Sequence, residues 1–86
     1  MHYEWDDDKA ASNRADHGVS FDQVEKMNWS DMVVIEDSRR NYGEPRYIGY
    51  SNIGRRLYCI VFTLRGETIR VISLRKANSR EVKRYG

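Results

Sequence analysis

The stretch Arg70-Val71-Ile72-Ser73-Leu74-Arg75-Lys76 holds the residue types best suited to chemistry on an anion. Read as a strand, its two-residue period puts Ser73 and Arg75 on one face and Arg70 on the other, with Ile72 and Leu74. A hydroxyl beside a guanidinium makes a phosphate clamp, because the planar fork binds two oxygens at once. Lys76 and Arg80 extend the basic run, and Arg46 and Arg56 stand upstream. An equally simple reading gives Arg75 a surface ion pair with Glu81 or Glu67. The groups able to exchange a proton near such a clamp are His17, Glu44, Tyr47 and Glu81. His17 has the ordinary pKa nearest neutrality, yet it also suits the negative C-terminal end of a helix closed by Gly18. Tyr47, Tyr58 and Tyr85 interleave with the bases, where aromatic rings either stack nucleobases or pack in a core.

The net charge of +2 conceals a segregation of sign. Residues 1–38 carry ten acids and three bases, whereas residues 39–86 carry twelve bases and three acids. Such asymmetry points to a polyanion partner for the second part, or to acidic helices that neutralise a basic sheet internally. The acids are dispersed over the first part, so no compact carboxylate set marks a two-metal site. A lone Cys59 excludes an internal disulfide, and no Cys or His cluster has zinc-site spacing. The longest near-apolar run, Leu57 to Leu64, falls far short of the ~20 residues of a membrane span, and no basic, apolar leader opens the chain. A cytoplasmic location without membrane contact is the expectation.

These residues need elements to position them. Eighty-six residues suit one domain with a thin core. His2 to Trp5 is a short strand candidate. Asp6 then caps a helix over Asp7 to His17, ended by Gly18. Ser20 with Gln23 has the capping-box pattern, which predicts a second helix from Phe21 to Asn28. Met32 to Ile35 is β-branched and reads as a strand closed by Glu36-Asp37, and the polar Arg39 to Pro45 as a loop. Arg46 to Ser51 and Arg56 to Leu64 follow as strands around a turn at Asn52-Ile53-Gly54-Arg55. Arg65-Gly66 makes a hairpin into Glu67 to Leu74. Asn78, with Glu81 three residues on, caps a terminal helix reaching Tyr85. The order β-α-α-β-β-β-β-α implies an α+β fold, a small antiparallel sheet with two N-terminal helices packed on it and a C-terminal helix.

Several of these pieces together resemble a known family. Trp5-Asp6 precedes the first helix, and Asn13 and His17-Gly18-Val19-Ser20-Phe21 lie toward its end. Arg46-Tyr47-Ile48-Gly49 follows, then Val71-Ile72-Ser73 with Arg75 and Ala77 ahead of a basic helix holding Glu81 and Tyr85. In this order, and over nearly the whole chain, they closely resemble the BrnT toxins of type II toxin-antitoxin pairs. The resemblance implies a RelE-like fold and a ribonuclease activity that cuts RNA and stops translation, with no cofactor. It also implies a BrnA-type antitoxin that binds the toxin and, as a complex, operator DNA. One departure is Asp16, where the family's usual residue is Lys.

Cleavage without a metal suits the residues: the 2'-hydroxyl attacks the adjacent phosphate while Arg75, Arg70 and Lys76 stabilise the crowded, charged phosphorus. On this reading Arg46, Arg56, Ser73, Lys76, Arg80 and Tyr85 bind RNA, and the antitoxin covers the same basic face. Two other readings use that face differently, as a nucleic-acid-binding module without chemistry or as a docking domain for an acidic protein. The enzymatic reading requires an open cationic patch, with Arg70 and Arg75 not consumed by carboxylates beneath packed helices.

Overall fold

Local signals set most element boundaries. In the computed structural model, which describes residues 1–86, the chain runs β1 (His2–Glu4), α1 (Asp7–His17), a 3-10 segment (Phe21–Lys26), β2 (Val33–Asp37), β3 (Arg46–Ile53), β4 (Arg56–Arg65), β5 (Thr68–Lys76) and α2 (Ser79–Tyr85). The Asp6 side chain accepts from the Asp8 N–H at 2.9 Å, and Gly18, at φ 69°, ends α1 in a left-handed turn. Asn78 and Glu81 form a full capping box at the start of α2.

The expected second N-terminal α-helix is instead a 3-10 segment. The Ser20 side chain makes no capping bond, and the Gln23 N–H turns back to the Ser20 carbonyl. Phe21, Val24 and Met27 explain the tighter winding. They recur every three residues and are all buried, and three residues per turn aligns them in one column.

The sheet order is β1-β5-β4-β3-β2. β2 to β5 are antiparallel, as expected, but β1 runs parallel to β5, so the five-stranded sheet is mixed rather than antiparallel. With one α-helix at the N-terminal end and a parallel edge strand, the fold is α+β but departs in both respects from the expected arrangement. α1 and the 3-10 segment lie on one face over Ile60, Phe62, Ile69, Val71 and Leu74. The opposite face carries a smaller cluster of Tyr50, Leu57, Cys59 and Ala77, against which Ile48 and Tyr85 pack. The C-terminal helix therefore sits across the sheet from the N-terminal ones. No helix is long and apolar enough to cross a membrane.

A bulge in β5 changes the facing of the basic residues. Val61 pairs with Ser73 but Phe62 pairs with Val71, which leaves Ile72 as the extra residue. Val71 and Leu74 consequently both enter the N-terminal core, and Arg70 and Arg75 fall on the same, opposite face, not on two faces as strict alternation predicts. Asn13 anchors this irregularity. β1 pairs only with residues 68–70, so beyond them the β5 edge lacks a strand partner. The buried Asn13 side chain takes that place: its Oδ1 accepts from the Leu74 N–H at 3.1 Å, and its Nδ2 donates to the carbonyls of Leu74, at 2.7 Å, and Val19, at 3.1 Å. Gly49 serves closeness in the same layer, since a Cβ there would collide with the Met32 sulfur.

Candidate nucleic-acid interface

Three strands and α2 assemble the charged site on the face away from the N-terminal helices. Tyr50, Cys59 and Arg75 form one cross-strand row on β3, β4 and β5. Above it, Glu81 of α2 receives a bidentate pair of hydrogen bonds from Arg75, Nη1 to Oε1 at 2.7 Å and Nη2 to Oε2 at 2.9 Å. The Tyr50 hydroxyl donates to the same carboxylate at 2.8 Å, and the Asn78 N–H at 2.9 Å. Three donor groups therefore converge on one anionic group. The Arg75 guanidinium, followed by the Asn78 N–H and the Tyr50 hydroxyl, holds the Glu81 carboxyl down at about 2, against the opposing effect of burial. Burial, reinforced by Glu81, pushes the Tyr50 hydroxyl above its ordinary value, so Tyr50 keeps its proton at neutral pH. Burial likewise raises the Cys59 thiol, which gives it the character of a core residue.

Around this pair lies a pocket of about 530 Å³ lined by Tyr50, Arg80, Glu81, Lys83, Arg84 and Tyr85. The Tyr50 and Tyr85 rings stack with centroids 4.2 Å apart and planes 11° from parallel. Arg80, Lys83 and Arg84 thus share one opening with the partly exposed Tyr85 ring, whose inner side rests on the buried Tyr50. Tyr50, Lys83 and Arg84 were not among the residues singled out from sequence. The signal for Tyr50 was available: in β3 it shares a face with Arg46, while Tyr47 takes the other.

The remaining sequence candidates distribute unevenly. Arg70 lies on the same face as Arg75 but pairs with Glu4 of β1. Both guanidiniums are thus matched by carboxylates, although their side chains keep 28% and 32% exposure at the surface. Arg56 is exposed and its Nη2 reaches the Ala77 carbonyl at 3.5 Å. Lys76 and Arg80 are exposed as well. Arg46 stacks on Tyr42 at 3.9 Å, beside the buried Asp37 that Arg39 holds well below the usual carboxylate range. Glu44 pairs with Arg65 at 3.5 Å. Tyr47 belongs to the other face, tilted against Phe62 at 5.6 Å. His17 and Ser73 meet in a polar groove between α1 and the β5 bulge, together with Asp8, Lys9, Ser12, Asn13, Asp16 and Ile72. That groove shares no lining residue with the cationic pocket. No three His, Cys, Asp or Glu side chains come together in a way that could hold a metal ion.

Compared with known proteins, residues 5–81 match the sequence profile of a family described as "Ribonuclease toxin, BrnT, of type II toxin-antitoxin system". No curated protein matches the chain.

Proposed function

The chain belongs to the BrnT family of ribonuclease toxins of type II toxin-antitoxin systems, and from that premise we propose that it cleaves RNA without a metal on the face that carries Arg75 and α2. The observation that carries this reading is the gathering of Arg80, Lys83 and Arg84 with the Tyr50–Tyr85 stack beside the Arg75 fork. In the reading, a base lies against Tyr85, which Tyr50 backs from beneath, and a phosphate enters the guanidinium fork in place of Glu81. Losing those donors returns Glu81 toward the ordinary carboxylate range, where it accepts the 2'-hydroxyl proton. The 2'-oxygen then bonds to phosphorus, the bond to the 5'-oxygen breaks, and protonated Tyr50 supplies the proton to that leaving oxygen. Arg75 stabilises the extra charge on phosphorus, whereas Arg70, four register positions along the sheet and paired with Glu4, and Lys76, which alternates to the other face, stand away from it. Arg46, on the face of Tyr50, extends the track for the backbone, whereas Arg56 alternates to the other face. His17, Glu44 and Tyr47 have no step in this scheme.

The proposal extends to a wider role: cleavage that stops translation in the cytoplasm, neutralisation by a BrnA-like antitoxin, and binding of the complex to operator DNA. The RelE-like fold belongs to the same reading. Incubation of the purified chain with RNA in EDTA tests the chemistry. The expected products end in a 2',3'-cyclic phosphate and a 5'-hydroxyl, and loss of cleavage on chelation would refute the metal-free route.

A second reading has one observation in its favour. Because Arg70 and Arg75 already have carboxylate partners, the same face can bind nucleic acid without cutting it. That reading predicts salt-sensitive binding and intact RNA at every protein concentration.

A further inference from the structure

The sheet leaves a second surface open, far different in character from the cationic face. On the side of the N-terminal helices, a groove of about 380 Å³ is lined only by apolar and aromatic residues: Trp29, Met32, Val34, Tyr47, Phe62, Leu64 and Ile69. Val34 is 49% and Leu64 52% exposed. The groove ends at β2, whose outer backbone edge has no strand partner because β2 is last in the sheet order. β2 is short and protected only by the exposed Glu36, since Val33-Val34-Ile35 contains no Lys, Pro or bulge and all three side chains are exposed. An apolar groove continuous with a bare strand edge is how a protein receives an extended segment of another chain.

The charges around this surface specify the occupant. Glu36 lies beside Tyr47 in register, and Glu25 is close enough to act electrostatically on Tyr3, whose ring faces Trp29 at 6.1 Å. β2 itself carries no base, so a second copy paired along this edge would offer Glu36 no cation within the strand. We infer that the antitoxin anchors here, through an extended segment that adds to the β2 edge, places alternate apolar side chains against Val34 and Met32, and carries Lys or Arg opposite Glu36. This rests on the family's pairing with an antitoxin and not on the cleavage mechanism. The anchor lies off the cationic pocket, not on the basic face where the sequence alone predicts the antitoxin, so most of the binding energy is apolar and resists salt, unlike RNA binding.

The test uses the full chain and a purified BrnA-type antitoxin that binds it. Affinity is measured at several salt concentrations for the wild type, Val34→Asp and Leu64→Asp, with RNA cleavage by each free chain followed in parallel. The expected result is an affinity that changes less than about threefold between low and moderate salt and falls by about 30-fold or more in either variant, while both variants still cut RNA. Unchanged affinity in both variants would overturn the assignment. So would steep salt dependence with loss of binding in Arg80→Ala, or a wild-type homodimer in solution that Val34→Asp breaks. Absence of cleavage by the wild type would count against the enzymatic reading alone.

Discussion

Asn13 shows how much one side chain can decide. It is the only side chain that pairs with both backbone groups of Leu74, and it holds the strand register beside the bulge. Asn13→Ala would leave a buried N–H and two buried carbonyls without partners. The expected cost is about 2–3 kcal/mol, read as a lower midpoint in urea denaturation. Glu81 gives a prediction of a different kind. Its carboxyl is depressed in the folded chain, so the stabilisation it contributes is fully present above its ordinary value of 4.5 and disappears as pH falls through about 2. Glu81→Gln should therefore destabilise the chain by about 1 kcal/mol at neutral pH and make almost no difference near the lower value. Thermal unfolding of both proteins across this range checks the sign; a gap that widens in acid would contradict it.

At the scale of elements, the capping and periodic patterns were legible in the residues. Asp6, Gly18, Asn78 and Glu81 act at helix ends as their types dictate. Three features were not legible, each for a physical reason. Ser20 and Gln23 have the letters of a capping box, but burial of Phe21, Val24 and Met27 at three-residue spacing outweighs that local preference. β1 is three residues long, too short for its sequence to reveal a partner or direction. The extra residue at Ile72 depends on Asn13, 59 positions away, and no local period announces it. That one residue moves Arg70 to the face of Arg75, which is why the basic strand residues were foreseeable as a group but not in their arrangement. Tyr47 and Tyr50 show the same limit, since both suit stacking by type and only the direction of each side chain separates them.

Over the whole molecule, each side of one sheet carries its own proposed function. The basic half supplies the cationic pocket beside α2, while both halves line the apolar groove, the acidic half through Trp29, Met32 and Val34. In that proposal the first surface receives a substrate that must bind and leave, and the second a partner that must stay. The claim on which the account depends is that Arg75 acts on phosphate and is not merely a tie for α2. Single-turnover RNA cleavage by Arg75→Ala, alongside a melting curve to establish that it is folded, addresses this directly. The account predicts a folded protein whose rate falls by about 100-fold or more; cleavage at the wild-type rate by that variant would contradict it.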